Sequence, residues 1–326
     1  MLWPNGSRFA FTVVDDTEGG TVANLRPIYD LLSDLGIRTT KTVWVYPPRD
    51  AFTGSCLQDD EYRAYILELQ ERGFEIALHG VGSGAFTREE IVAGLELYRE
   101  LLGNYPKVHI NHAKNPDNVF WGQHRFSPAL SALLSRHYGG GPAFSGHNPD
   151  SPHFWGDILK ERITYVRNHT FRGILTSAYD PFGPYRIASK EAYSNYWFSS
   201  SDGHNVTDFG SLTRPANLDA LAQKGGYCIV YTHFAEGFVR GGKLDRTVEE
   251  NLRYLASLGG WYVPVSQLLD HVRSTRTADH YLTGAQQYAL DLAWLRDRLH
   301  KDAVWTYRRV RRRLARRLHA PQLVRE

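Results

Sequence analysis

Cysteine is scarce in this chain. The only two, Cys56 and Cys228, are far apart, and Cys228 lies in the apolar run Tyr227-Cys228-Ile229-Val230-Tyr231, which reads as a buried strand. A disulfide framework is therefore excluded. No segment approaches the roughly 18 consecutive apolar residues of a membrane span. Met1 through Gly6 leads straight into strand-like sequence, without the basic, apolar and small-residue stretches of a secretory leader. A cytoplasmic location is the expectation, and no internal repeat is present.

A large excess of one charge is also missing. Against 38 Lys and Arg stand 35 Asp and Glu, a formal net charge of +3. Arg308, Arg309, Arg311, Arg312, Arg313, Arg316 and Arg317 are crowded into one stretch, so the body of the protein is near neutral or slightly acidic. No nucleic-acid partner is expected. From Tyr307 onward, Val310, Leu314 and Leu318 recur at helical spacing among these arginines. They predict a basic amphipathic helix able to contact an anionic membrane surface peripherally, or to pack on its own domain or a partner subunit. The sequence leaves the oligomeric state open.

What is present is an alternation of strand and helix signals from Arg8 to about His271. Phe9 to Val14 reads as a strand ending in Asp15-Asp16, followed by a helix over Val22 to Leu35 that stops at Gly36. Thr42 to Tyr46 is a second strand, stopped by Pro47-Pro48, and Glu61 to Arg72 a second helix closed by Gly73. Glu75 to Leu78 runs into His79 and a glycine loop, and Thr87 with Glu90 then forms a capping box for a helix ending near Gly103. Val108 to His112 is a fourth strand. Residues from about Gly139 to Pro184 read as long loops. Strands return at Tyr196 to Ser200, Tyr227 to Thr232 and Trp261 to Pro264, with helices near Asn217 to Gln223 and Thr247 to Leu258. This order favours a parallel sheet covered by helices, with a helical extension beginning after about residue 275.

Several strands finish in ionisable residues: Asp15 and Asp16, His79, His112, and Thr232-His233. In a parallel β/α protein such strand ends face one common site. Carboxylate oxygens and imidazole nitrogens suit Zn²⁺, Co²⁺, Ni²⁺ or Mn²⁺, with an open position for an activated water. Of the 42 aromatic residues, counting eight Trp, nineteen Tyr and fifteen Phe, most belong to the core, and some are available to line a sugar site.

The runs Phe11-Thr12-Val13-Val14-Asp15-Asp16, Glu75-Ile76-Ala77-Leu78-His79 and Ile229-Val230-Tyr231-Thr232-His233 resemble motifs of the polysaccharide deacetylases, carbohydrate esterase family 4. The resemblance spans roughly Arg8 to Leu269 and implies a distorted (β/α)₇ barrel. It implies a metal-dependent hydrolase that removes N-acetyl groups from an amino sugar in a polysaccharide or glycan precursor. Carried over by motif, Asp15 is the catalytic base, Asp16 and His79 are metal ligands, and His233 is the general acid. The family's second ligand histidine falls at Ser83, and its Arg-and-Pro motif falls at Asn111-His112-Ala113-Lys114-Asn115. His112 is accordingly expected to replace the missing ligand, giving a site of Asp16, His79 and His112 for a divalent ion, Zn²⁺ first. Asp202 is the weakly matched candidate for orienting His233 or another histidine.

Four other readings are weighed. Gly80-Val81-Gly82-Ser83-Gly84 loosely matches a dinucleotide fingerprint, but the glycines precede the Thr87 cap by several residues, and the histidine at the strand end has no use there. Ser83 lacks the outer glycine pair of a nucleophile elbow. A metal-independent glycosidase using Asp15, Asp202 or Glu236 would leave the strand-end histidines idle. A silent glycan-binding barrel would need no metal.

Overall fold

The computed structural model describes residues 3–138 and 144–299. Seven strands, β1 (Ala10–Asp15), β2 (Thr40–Val43), β3 (Glu75–Leu78), β4 (Val108–His109), β5 (Tyr165–Phe171), β6 (Tyr196–Asp202) and β7 (Tyr227–Thr232), pair in parallel, each with the next. β1 then pairs with β7 along its whole length, from Ala10 opposite Tyr227 to Asp15 opposite Thr232, and the sheet closes into a barrel. The (β/α)₇ expectation holds. β8 (Val239–Arg240) and β9 (Lys243–Leu244) form a small antiparallel hairpin, and β10 (Trp261–Tyr262) pairs with the start of β1.

The helices α1 (Val22–Asp34), α2 (Asp60–Glu71) and α3 (Arg88–Leu102) follow the first three strands. Thr21 with Asn24 and Thr87 with Glu90 make reciprocal capping boxes that satisfy the first turns of α1 and α3. α3 stops at Gly103, whose φ of 82° is a left-handed position that glycine adopts without strain. Next come α4 (Pro128–Tyr138), α5 (Gly156–Arg162), α6 (Thr176–Tyr179), α7 (Val206–Leu212), α8 (Pro215–Lys224), α9 (Arg246–Ser257) and α10 (Val265–Ser274). Residues 284–299 are helical. The arginine run at 308–317 lies outside the described residues. No helix among those described is long and apolar enough to cross a membrane.

Alternation along the strands sorts the core into two layers. Ala10, Val14, Ala77, Val108, Ile110, Tyr165, Phe198 and Ile229 share a cluster that fills the barrel, and Leu268, Leu269 and Val272 of α10 pack against one end of it. Phe11, Val13, Val43, Leu78, Val166 and Val230 belong to the other cluster, between the strands and the surrounding helices. This parity decides which strand-end residues reach the mouth of the barrel.

The region expected to be loop contains α5 and β5. β5 reads Tyr-Val-Arg-Asn-His-Thr-Phe, and its Arg167, Asn168 and His169 are buried yet polar, so the strand carries no apolar alternation to read. The second and fourth strands are also shorter than the sequence suggests. The helix at 284–299 is tied to β5 through Asp291, which accepts from the Ser127 backbone N–H at 2.7 Å and lies 3.2 Å from His169 Nε2. Asp291→Ala leaves that buried N–H unsatisfied. Denaturant unfolding is expected to show a loss of about 1–3 kcal/mol; a variant as stable as the parent would show that this anchor is not needed.

Candidate metal centre

His79 follows directly on β3 with the inward parity, and Gly80 turns the chain away at once with a φ of 69°. A Cβ at that glycine would meet Asn115 Nδ2 at 3.1 Å, so the tight turn also brings the β4 loop close. His79 Nδ1 is 3.0 Å from the carbonyl oxygen of Ile110. Since a carbonyl only accepts, Nδ1 carries the proton and Nε2 faces the mouth. His112 is held in the same way. Its Nδ1 lies 3.1 Å from Asn115 Oδ1, and the orientation of that amide is fixed because Oδ1 accepts from Gly84 N–H at 2.9 Å while Nδ2 donates to Gly82 O at 2.8 Å.

Both Nε2 atoms point at one carboxylate. Glu18 Oε1 lies 3.0 Å from His79 Nε2 and 3.2 Å from His112 Nε2. His112 Nε2 and Glu18 Oε2 are buried without a hydrogen-bond partner. In the neutral imidazoles both nitrogens present lone pairs to a carboxylate, an arrangement that a cation between them would satisfy. The ligand atoms of Glu18, His79 and His112 lie within 4.8 Å of one another, and the donor set of two imidazoles and a carboxylate suits a borderline divalent ion. The residues present therefore fit a metal.

Asp16 stands beside this group, its Oδ2 3.8 Å from His79 Nε2. Arg167 of β5 donates to both of its oxygens, at 3.2 and 2.8 Å, and is itself stacked 4.4 Å from the ring centre of Tyr231. His233 follows β7 with the inward parity. Its Nδ1 lies 3.1 Å from the carbonyl oxygen of His204, and its Nε2 3.5 Å from Glu18 Oε2. Asp202 accepts from the backbone N–H of His204 at 3.2 Å, so its contact is with the turn that carries this carbonyl. Above Asp16, Glu18, His79, Arg167, Asp202 and His204 opens a cleft of about 420 Å³, lined also by Trp121, Arg125, Trp294, Asp297 and Arg298. The last three come from the C-terminal helix, which is fixed there by Arg172 donating to Asp297 through its backbone N–H and Nε, at 3.1 and 3.0 Å.

No family model matches the chain, and no curated protein matches it in sequence. Among solved structures, one assigned as a polysaccharide deacetylase from Mycobacterium smegmatis is 16% identical, covers 87% of this chain and 96% of its own, and superposes with a TM-score of 0.51. Puue allantoinase is 13% identical, over 85% of this chain and 94% of its own, with a TM-score of 0.50. The fold is that of the polysaccharide deacetylases.

Within this deacetylase fold the expected residues are distributed differently from the motif reading. Asp15 has the outward parity. Its fully buried carboxylate pairs with Lys41 Nζ at 2.9 Å, and accepts from Tyr29 Oη at 3.0 Å and the Phe234 backbone N–H at 2.8 Å, between the barrel and α1. It does not open to the cleft, which corrects its placement as catalytic base. Asp16 is engaged by Arg167, and the carboxylate facing both His79 and His112 is Glu18, which the motif reading passed over. Ser83 Oγ donates to Asp50 at 2.7 Å and has no part in the cluster. His109, with the outward parity, packs edge-on against Trp155, and burial lowers its pKa to about 3.

Charge at the centre is strongly coupled. Burial would raise Glu18, but the imidazoles of His79, His112 and His233 hold it well below the usual carboxylate range. Burial would lower His233, but the hydrogen bond and charge of Glu18, with Asp16 behind it, raise it to about 9 from an ordinary 6.5. In the ion-free protein this proton contributes stability that is fully present below about 6.5 and is lost as pH rises through about 9. Thermal melts of chelator-treated protein are expected to fall across that window. A flat profile would contradict the coupling.

Proposed function

We propose that the protein is a divalent-metal-dependent hydrolase that removes an N-acetyl group from an amino sugar. One observation carries this reading: Glu18 faces the Nε2 atoms of His79 and His112, each fixed by its own Nδ1 contact, and Asp16 stands 3.8 Å from His79 Nε2. The names of the two similar structures, a polysaccharide deacetylase and an allantoinase, support hydrolysis on this fold and leave the substrate to the site itself. The aromatic and polar lining of the cleft supports a sugar.

A divalent ion held by Glu18, His79 and His112 would supply a Lewis acid for the acetyl carbonyl and for activating water. Asp16 is the base that accepts the proton from that water. Arg167 fixes its orientation through two hydrogen bonds. His233, with Nδ1 anchored on the His204 carbonyl, turns Nε2 inward and donates a proton to the departing amine. Trp121 and Trp294 line the cleft that would take the sugar ring.

The test is acetate release from N-acetylglucosamine oligomers by the zinc-loaded protein, repeated after chelation. Release that is lost on chelation and restored by zinc is expected, and His233→Ala should lower it by on the order of a hundredfold or more. Undiminished turnover in His233→Ala would remove that residue as the acid. Release unaffected by full removal of metal would remove the mechanism.

A further inference from the structure

The carboxylate of Glu18 serves two directions. Oε1 faces His79 and His112, whereas Oε2, buried and without a hydrogen-bond partner, lies 3.5 Å from His233 Nε2. Beyond His233 stands a second group of ligating atoms. His204 Nε2 and Glu236 Oε2 are 3.4 Å apart, and with a ring nitrogen of His233 the three residues bring ligand atoms within 4.8 Å of one another. The two imidazoles meet edge to face, with ring centres 4.5 Å apart and planes at 78°, so neither ring covers the nitrogens of the other. His233 Nδ1 is committed to the His204 carbonyl, and His204 Nδ1 to the Tyr231 hydroxyl at 2.9 Å, which leaves Nε2 as the ligating nitrogen of each ring. Two imidazole nitrogens and a rim carboxylate form a donor set of the same chemistry as the first.

We infer that the barrel mouth takes a second divalent cation at His204, His233 and Glu236. This rests on the first site as read above. Filling is ordered by burial. The side chains of Glu18, His79 and His112 are at most 12% exposed, whereas those of His204 and Glu236 are 40% and 45% exposed. The outer group is therefore solvated and must order the long Glu236 side chain on binding, so it fills second and more weakly. An ion on His233 Nε2 occupies the lone pair that would carry the proton to the leaving amine. Excess metal accordingly switches the enzyme off.

The experiment is calorimetric titration of chelator-stripped protein with Zn²⁺, using the parent, Glu236→Gln and His112→Ala. The parent is expected to bind two equivalents in separate phases. Glu236→Gln should keep the tight phase and lose the weak one, while His112→Ala loses the tight one. Where turnover is measured, zinc beyond one equivalent should inhibit the parent at least tenfold more strongly than Glu236→Gln. A parent that stops at one tight equivalent, or a Glu236→Gln variant that still takes two, would overturn this inference and leave the first site standing. A parent that binds no zinc would overturn both.

Discussion

Asp16→Asn is expected to lower turnover by on the order of a hundredfold or more, because the amide cannot accept the proton that the carboxylate does. Asp15→Asn is expected to act on the fold instead. Each substitution weakens a buried ion pair, Asp16 with Arg167 and Asp15 with Lys41, and breaking such a pair typically costs about 3–5 kcal/mol. Stability therefore falls in both variants, and turnover per folded molecule separates them. A folded Asp15→Asn protein should retain near-parental turnover at temperatures well below its midpoint. Parental turnover in Asp16→Asn, or collapse of turnover in well-folded Asp15→Asn, would return the base to Asp15.

His112→Ala and Glu18→Gln are expected to lose metal, and His109→Ala to keep it. Disturbing groups that merely orient a ligand typically costs about 10–100-fold in metal affinity, so removing a direct ligand should cost more than about a hundredfold. Asn115→Ala falls in the smaller class, because Asn115 acts only by holding His112 Nδ1 and the glycine loop. The measurement is zinc affinity by competition with a chromophoric chelator. A His112→Ala variant that binds zinc as tightly as the parent would exclude His112 from the site.

The barrel was legible because its strands are apolar runs bounded by Gly, Pro and helix caps, and the capping box at Thr87 and Glu90 and the stop at Gly103 fall where the sequence places them. β5 was not legible, since Arg167, Asn168 and His169 interrupt its apolar pattern and sit where the barrel meets the cleft and the C-terminal helix. Motif order pointed to the correct strand ends but not to the correct side chains. Counting by twos from Val14 places Asp16 inside and Asp15 outside, just as it separates His112 from His109. Glu18 lies beyond the end of β1 in a turn, where no such count applies, so the sequence carried no periodic signal for it. No periodicity reveals that residues 284–299 bring Trp294, Asp297 and Arg298 to the cleft, because a helix without strand partners does not announce what it covers.

The most direct measurement is an anomalous diffraction map of crystals loaded with one equivalent of Zn²⁺. A single strong peak coordinated by Glu18, His79 and His112, with Asp16 still held by Arg167, is the predicted result. A peak elsewhere, or no peak at full zinc loading, would contradict the account.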